Sequence, residues 1–532
     1  MRVAQSGAAR WGTIGSMGYD ELHAQFEARR AKALAMGGEA KLARRRNAGL
    51  LNARERIDRL LDPGTFMESG LFATSLHPGD RDKTPADGKI AGYGRIDGRE
   101  TAIVVNDFTV KGASSAGTNM KKISQMQRTS RERGIPMVYL GESSGARIPD
   151  NMGAIGMGTL LGGNPIQYRR LRECPWASAI LGMSYGSATW YGCMSDFNVM
   201  RKGAVMAVSS ERLVSMAIGE KVDPEELGGW RLHSEVTGLI DMATDTDAEA
   251  IDAIRTFLSY MPSHSGEVPP AKPAPRGSDD GARDVASLVP ENRTQVYDMR
   301  KVIRAVADKD SYFELKPRFG RTAVTALARI DGQVVGFVGN NPISKAGAMD
   351  AAACDKITSV LVLCDSFNIP LVFFVDNPGF VIGLEAERQK APGKIINFMN
   401  ALQLVTVPKL TVMLRKNYGQ AYINMAGGQN AADVAAWPTA EVSFMDPTFA
   451  VNVVHGTEGT RLEDSDPERF RREFERFQKD SSVWDLAATY AVQQVIPPEE
   501  TRAWLIRMLS VHSNRRTGGL GEHRLHNWPT SY

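Results

Sequence analysis

Four short turns of small residues stand where the backbone could hold a negatively charged oxygen. Two of them, the outer turns, span residues 142–146 and 376–380, and the other two, the inner turns, span 186–188 and 419–421. Each follows an apolar run and precedes a helical pattern, and the first N–H groups of a helix are unpaired and partly positive. Two such donors aimed at a carbonyl oxygen form an oxyanion hole, provided that small side chains let the ligand approach. The same glycines also permit tight packing without a ligand, so the turns are candidate sites only.

Other catalytic patterns are weaker. No Gly-Lys-Ser/Thr stands at the spacing of a nucleotide-binding P-loop, and the eight histidines form no metal-ligand spacing, so no metal is expected. The string GMSYG has the outline of a nucleophile elbow around Ser184, but Asn417 occupies the equivalent place in the second half of the chain. Glu142 and Asp376 precede helical patterns, and we expect them to cap helices rather than to act as acid or base.

The elements that must position these turns alternate between short strands and helices. AIVVNDF (102–108) leads through a Gly/Ser turn to a helix at about 119–133. The apolar runs at 359–363 and 370–375 are far too short to span a bilayer and are predicted to be buried strands. This alternation predicts an α/β fold with largely parallel strands.

The segment from 20 to 61 is helical in pattern and rich in charge. It contains the run Arg44-Arg45-Arg46. Such a run is typical of a solvated helix face or a partner-docking arm, and a nucleic-acid arm is the weaker alternative.

The chain is duplicated. RIDG occurs at 95–98 and at 329–332, and MVYLGESSG (137–145) matches LVFFVDNPG (371–379) at the same offset. The inner turns also match, because Tyr-Gly-Ser-Ala at 185–188 corresponds to Tyr-Gly-Gln-Ala in the second half, with one residue lost. A repeat this long indicates two duplicated domains rather than a solenoid.

These features divide the chain. A Pro-rich, polar segment at 262–292 separates the copies and is predicted to be a semi-rigid linker that packs no core. We predict a flexible N-terminal extension (1–19), an N-terminal domain (20–261) and a C-terminal domain (293–532). A length of 532 residues supports two domains, since single cores rarely exceed about 250–300 residues.

The composition excludes several classes of protein. Lys and Arg total 64 against 61 Asp and Glu, so neither nucleic acid nor a membrane surface is expected as the main partner. The four cysteines contain no CxxC pair, which argues against a disulfide framework and a zinc ribbon. A reduced, cytoplasmic protein is the expectation.

Blocks along nearly the whole chain resemble, in the right order, the carboxyltransferase (beta) subunit of biotin-dependent acyl-CoA carboxylases, of the propionyl-CoA and methylcrotonyl-CoA carboxylase type. They are ARERIDRLLDPGTFMESG (53–70), GKIAGYGRIDGR (88–99), SGARI (144–148), EELGG (225–229), YDMRKVI (297–303), VDNPGF (375–380) and RKNYGQAY (415–422).

The resemblance implies a fold and an assembly. The fold would be two duplicated crotonase-like domains, of the ClpP/crotonase superfamily, built from ββα spiral units. The N-terminal domain of one subunit would bind acyl-CoA and face the C-terminal, biotin-binding domain of another, within a hexamer that is a trimer of dimers. Biotin would arrive as carboxybiotin on a separate biotin carboxylase/carrier subunit, because no Ala-Met-Lys-Met-type biotinylation site occurs here.

The resemblance also implies site residues. The N–H groups at Gly186 and Ser187 would bind the thioester oxygen of an acyl-CoA enolate, and those at Gln420 and Ala421 would bind the ureido oxygen of biotin. The ureido anion would take the proton from the α-carbon, or from a vinylogous carbon, so no side chain need act as base. The other expected binding residues are Gly145, Ala146, Gly379, Phe380, Gly419, Tyr422, Ile423 and, toward coenzyme A phosphates, Lys121 and Lys122.

Ser187 and Gln420 depart from the paired glycines that the family usually has at its inner turns. Three functions therefore stay open. The first is carboxyl transfer to an acyl-CoA, and the second is a decarboxylase or transcarboxylase that uses the same chemistry in reverse. The third is a non-catalytic structural subunit of a carboxylase complex. Ile423 stands where the family often tunes acyl-chain selection, although core packing predicts the same residue type.

Overall fold

Two eight-stranded sheets follow one another along the chain in the computed structural model, which describes residues 18–158, 164, 166–456, 460–513 and 520–529. The strands of the first sheet are β1 (Met67–Ser69), β2 (Lys89–Ile96), β3 (Arg99–Asn106), β4 (Met137–Ser143), β5 (Trp176–Tyr185), β6 (Phe197–Arg201), β7 (Val205–Ala207) and β8 (Met242–Thr244). Those of the second are β9 (Phe313–Leu315), β10 (Ala323–Ile330), β11 (Gln333–Asn340), β12 (Leu371–Asn377), β13 (Lys409–Tyr418), β14 (Asp433–Ala436), β15 (Glu441–Ser443) and β16 (Gln494–Val495).

The two sheets have the same topology. The first runs β1-β2-β3-β4-β5-β6-β8 with β7 beside β5, and the second runs β9-β10-β11-β12-β13-β14-β16 with β15 beside β13. The first three strands of each sheet pair antiparallel, and the pairs from β3 and β11 onward are parallel. The predicted α/β fold of two duplicated halves is thus confirmed.

Helices cover both sheets. Those of the first half are α1 (Tyr19–Leu34), α2 (Glu39–Asn47), α3 (Ala53–Leu60), α4 (Gly117–Arg133), α5 (Ile148–Asn151), α6 (Gly153–Gly156), α7 (Ser187–Met194), α8 (Glu211–Ile218), α9 (Pro224–Gly228) and α10 (Asp247–Tyr260). Those of the second half are α11 (Asp280–Arg283), α12 (Met299–Val306), α13 (Ala351–Ser366), α14 (Leu384–Arg388), α15 (Ala391–Leu404), α16 (Gln420–Asn424), α17 (Pro447–His455), α18 (Leu462–Ser465), α19 (Pro467–Lys479), α20 (Val483–Ala488) and α21 (Thr501–His512).

One predicted strand is wrong. Residues 359–363 lie inside α13, whereas residues 371–375 do form part of β12. Val360, Leu361 and Val362 are all buried, so this helix is apolar on several faces. A short apolar run of this kind cannot be told from a buried strand by its periodicity.

The segment 262–292 also differs from the prediction, because part of it packs against the second half. Val285 is fully buried and belongs to the same hydrophobic cluster as Val302 and Trp504. The sheets lie within the predicted ranges 20–261 and 293–532, whose boundaries stay predictions. The extension predicted at 1–19 lies almost entirely outside the described residues.

One hydrophobic cluster contains buried side chains of both halves. Phe197 of β6 stacks on Phe257 of α10 with ring centroids 4.8 Å apart, and it also contacts Phe313 of the second sheet at 5.5 Å. Over the part of the chain that the structure describes, none of the helices is long and apolar enough to cross a membrane.

Candidate functional site

The inner turns have the same backbone geometry in both halves. Strand β5 ends at Tyr185, Gly186 takes a φ of 60°, and α7 begins at the next residue. Strand β13 ends at Tyr418, Gly419 takes a φ of 62°, and α16 begins directly after it. A positive φ is the conformation that favours glycine. At Gly186 an added Cβ would meet nothing within 4 Å, so the backbone angle rather than space requires glycine there.

The inner turns place main-chain donors at the starts of two helices. The first N–H groups of a helix have no acceptor within it, so those of Ser187 and Ala188 in α7 and of Gln420 and Ala421 in α16 make no hydrogen bond inside their own helices. The side-chain amide of Gln420 lies 3.4 Å from Asn424 Oδ1, along its own helix. The extra bulk of this glutamine therefore does not occupy the backbone donors.

The outer turns are also equivalent. Gly145 and Gly379 have φ values of 99° and 124°. The N–H of Gly145 donates to Ser143 Oγ at 3.2 Å, and that of Gly379 donates to Asn377 Oδ1 at 2.8 Å. The residues that follow, Ala146 and Phe380, form isolated parallel bridges with Ser115 and Met349.

The structure brings the two turns of the first half together. Ser115, which bridges Ala146 of the outer turn, places its Oγ 2.7 Å from the Oγ of Ser187 in the inner turn. Tyr422 and Ile423 lie half-buried on α16, just beyond the inner turn of the second half. The predicted binding residues other than the lysines thus lie in or directly beside these turns.

The expectation that Glu142 caps a helix is wrong. Its carboxylate accepts hydrogen bonds from Arg45 at 2.8 and 2.9 Å and from Arg56 at 2.8 Å, and all three side chains are buried. Burial by itself would raise the pKa of Glu142, but the guanidinium groups of Arg56 and Arg45 outweigh it and hold the pKa below its ordinary value. The carboxylate is therefore a charged anchor for the outer turn.

Arg45 and Arg56 were missed by the sequence interpretation. The run 44–46 was predicted to face solvent, but Arg45 within it is buried. The sequence pattern does place Arg56 in the interior, because on α3 it shares the buried face with Ala53, Ile57 and Leu60. An arginine on the apolar face of a helix predicts a buried carboxylate partner.

Asp376 is not a helix cap either. Arg415 donates to it at 2.9 Å from Nε and lies at 2.8 Å through Nη2. The same guanidinium donates to the carbonyl oxygens of Pro290 and Asn292 at 3.1 and 2.9 Å. Arg415 thus ties the outer turn of the second half to the end of the Pro-rich segment.

The two lysines have different surroundings. Lys121 lines an open groove of about 530 Å³ together with Arg128 and Arg131. Lys122 is buried, and its ammonium donates to the carbonyl oxygens of Gly70 and Ala86, both at 3.1 Å, while burial lowers its pKa to about 8. The ammonium of Lys122 is therefore held by backbone carbonyls, and its expected role toward phosphate stays a prediction.

Two alternative chemistries receive no support from the geometry. Ser184 is fully buried, so it lacks the exposed hydroxyl that a nucleophile elbow requires. Among the described residues, no group of three or more His, Cys, Asp or Glu side chains is placed to hold a metal ion.

Comparison with known proteins gives a consistent family. The family model for the carboxyl transferase domain matches residues 44–524. The propionyl-CoA carboxylase carboxyltransferase subunit of Haloferax mediterranei is 35% identical over 501 residues, which cover 92% of this chain and 96% of the relative. The methylmalonyl-CoA decarboxylase subunit alpha of Veillonella parvula is 33% identical over 494 residues, which cover 91% and 94%.

A solved structure agrees with these relatives. The crystal structure of transcarboxylase 12S, with methylmalonyl-coenzyme A and methylmalonic acid bound, matches with a TM-score of 0.86 at 30% identity. The match covers 94% of this chain and 97% of that one. The sequence resemblance is confirmed over nearly the full length of the chain, and its halves are crotonase-like. The chain therefore belongs to the carboxyl transferase domain family, as a member of the biotin-dependent carboxyltransferases.

Proposed function

We propose that this chain moves a carboxyl group between biotin on a separate carrier subunit and the α-carbon, or a vinylogous carbon, of an acyl-CoA. One observation carries the proposal: two inner turns with the same strand–glycine–helix geometry occur in the duplicated halves, at Gly186 and Gly419. The relatives, which include acyl-CoA carboxylase and transcarboxylase subunits, support it.

The first inner turn would bind the acyl thioester. Loss of the α-proton places negative charge on the thioester oxygen, and the N–H groups of Ser187 and Ala188 are donors suited to hold it. Ala188 takes the place expected for Gly186, because Gly186 precedes the first residue of α7. Removing one such donor typically costs about 10²–10³ in turnover. Glu142 and Asp376 are held in buried ion pairs, so neither carboxylate is free to act as the base.

The second inner turn would bind the ureido oxygen of biotin through the N–H groups of Gln420 and Ala421. Carboxybiotin supplies the carboxyl group, and the nitrogen that loses it accepts the α-proton as the new carbon–carbon bond forms. The residues fit this role because Gly419 keeps the required φ and the Gln420 amide turns toward Asn424. The side chains of Phe380 and Tyr422 would line the biotin site.

The basic groove would bind the phosphates of coenzyme A. Lys121, Arg128 and Arg131 line one side of it, and the polar side chains of Ser124 and Gln167 complete it. Both Lys and Arg bind phosphate by charge-assisted hydrogen bonds. Lys122 is left out of this proposal because its ammonium is already bonded to backbone carbonyls.

The site would be completed by assembly into a hexamer. Helix α8 exposes Leu213, Met216 and Ile218, and α17 in the other half exposes Phe449 and Val454. Neighbouring exposed apolar side chains of this kind mark protein interfaces. Transcarboxylase 12S crystallised as a hexamer assembly, which supports the same arrangement for this chain.

The reverse direction is a second candidate. A methylmalonyl-CoA decarboxylase subunit and a transcarboxylase are among the relatives, and the chemistry at the two turns is symmetric. In this case the chain would take carboxyl groups from a carboxylated acyl-CoA and deliver them to biotin.

The test follows loss of malonyl-CoA or methylmalonyl-CoA in the presence of free biotin, with a reaction lacking biotin as the control. We expect biotin-dependent loss of one or both thioesters. Rates measured with the purified biotin carrier in each direction then separate the two candidates. Absence of reaction across a panel of acyl chains, together with tight binding to the carrier, would favour the structural subunit instead.

A further inference from the structure

The first inner turn carries a pair of hydroxyls that the second lacks. Ser115 is 3% exposed, and its Oγ lies 2.7 Å from the Oγ of the half-buried Ser187. Met349 occupies the place of Ser115 in the second half, since each forms a parallel bridge with the residue that follows the outer-turn glycine. The duplicated scaffold therefore presents hydroxyl groups at one inner turn only.

The backbone holds Ser115 firmly in this position. Its N–H donates to Gly145 O at 2.9 Å, and its carbonyl accepts from Arg147 N and from Asn151 Nδ2, both at 2.9 Å. A donor fixed in this way needs little rearrangement when charge develops beside it, which is the property that makes an oxyanion hole effective.

The pair leaves one hydroxyl proton available. Two hydroxyl groups bring two O–H donors, and the bond between them uses one. Ser187 is the first residue of α7, so its Oγ stands beside the main-chain N–H that is proposed to bind the thioester oxygen. At the equivalent position, the Gln420 side-chain amide lies 3.4 Å from Asn424 Oδ1 on its own helix and 3.1 Å from Met399 Sδ on α15.

We propose that the Ser115–Ser187 hydroxyl pair donates a further hydrogen bond to the thioester oxygen of the acyl-CoA. This inference rests on the proposed function and adds residues to the same site. Ser187 is the catalytic donor, and Ser115 is the positioning residue that orients its hydroxyl. No proton leaves the pair, since its role is to hold the charge of the enolate through an O–H···O bond.

The test uses acyl-CoA labelled with ¹³C at the thioester carbonyl, bound to the full-length chain and followed by difference infrared spectroscopy. A hydrogen bond lowers the carbonyl stretching frequency, so the bound wild type should absorb below free acyl-CoA. Ser187→Ala and Ser115→Ala should each shift the band back toward the free value. We expect turnover to fall about 10- to 100-fold, somewhat less than for loss of a main-chain donor, while the acyl-CoA Kd stays within about two-fold.

Ser184→Ala is the matched control, because Ser184 is a buried residue on β5, three residues before Ser187, with a hydroxyl outside the pair, and it should leave the band in place. Ser187→Thr keeps a hydroxyl and should retain the shifted band. An unmoved band in both Ser187→Ala and Ser115→Ala would overturn the inference. If the band moves but wild type transfers no carboxyl group, the proposed function fails while the donor pair stands. A wild type that binds no acyl-CoA would overturn both.

Discussion

The carboxylates of Glu142 and Asp376 stand directly in the outer turns, yet each is held in a buried ion pair. Their cations come from distant parts of the chain, with Arg45 and Arg56 before the first sheet and Arg415 on β13. At the scale of the residue, the carboxylates of the outer turns are therefore anchors, and the donors that we propose for the site are main-chain N–H groups and the Ser115–Ser187 hydroxyl pair.

Replacing Glu142 tests its role as an anchor. Glu142→Gln leaves Arg45 buried without its counter-charge and leaves Arg56 with Asp247 as its carboxylate partner, so we expect the free energy of unfolding in urea to fall by about 3–5 kcal/mol. Glu100→Gln, which removes an exposed partner of Arg95, is the control and should have a far smaller effect. Unchanged stability of Glu142→Gln would contradict the assignment.

The ion pairs of Glu142 with Arg45 and Arg56 also predict that stability depends on pH. The pKa of Glu142 is below its ordinary value of 4.5 because Arg56 and Arg45 outweigh the effect of burial. Its contribution to stability is therefore complete above that value and disappears as the pH falls through the lowered pKa. Urea unfolding across the acid range should show a shallower loss of stability for Glu142→Gln than for wild type.

A main-chain donor can be removed at Ala421. Ala421→Pro deletes one N–H near the start of α16, so turnover should fall about 10²–10³-fold while acyl-CoA binding, assigned to the other half, stays unchanged. Thermal unfolding is the control for the fold, because the residue is fully buried. Turnover within a few-fold of wild type in a folded variant would show that this donor is misassigned.

At the scale of the element, the duplication made the strand–turn–helix units predictable. The repeated blocks placed the four turns and the glycines at 186 and 419, because a positive φ restricts the residue type. Helix α13 was missed in part, since its apolar run at 359–363 carries no periodic signal once the helix is buried. The asymmetric contact between Ser115 and Ser187 could not be predicted either, because it joins residues 72 positions apart.

Helix α13 offers a pH-dependent test of the core. Lys356 is fully buried and donates to Ala323 O at 2.8 Å, and burial lowers its pKa to about 7. Between pH 7 and its unfolded value of 10.5, the unfolded chain binds a proton that the folded chain does not, so stability rises with pH. Lys356→Met should flatten this rise in urea unfolding from about pH 6.5 to about pH 9, whereas the exposed Lys301→Met should not.

At the scale of the whole molecule, the halves are joined through a common core and through side chains that reach across long stretches of sequence. Arg415 binds the carbonyls of Pro290 and Asn292, and Arg172 donates to the carbonyl oxygens of His526 and Trp528. Such contacts depend on tertiary packing and leave no local pattern. The sequence could therefore predict two copies of a domain, but not the side-chain contacts that join them.

The proposed assembly is tested on α8. Met216 is 72% exposed, and Met216→Glu would bury a charge at the interface that this helix is proposed to form. Light scattering coupled to size exclusion should report a hexamer for wild type and smaller species for the variant. Arg212→Glu on the same helix changes charge without removing an apolar contact, and it should disturb assembly less. A monomeric wild type would contradict the proposed arrangement.

The most direct measurement is a crystal structure of the chain with an acyl-CoA and free biotin bound. The thioester oxygen is expected about 2.7–3.1 Å from the N–H donors of the turn at Ser187, and the ureido oxygen at the same distance from those at Gln420 and Ala421. Both ligands bound with their oxygens directed away from these turns, or toward a side-chain cation instead, would contradict the claim that main-chain amides hold the transferred charge.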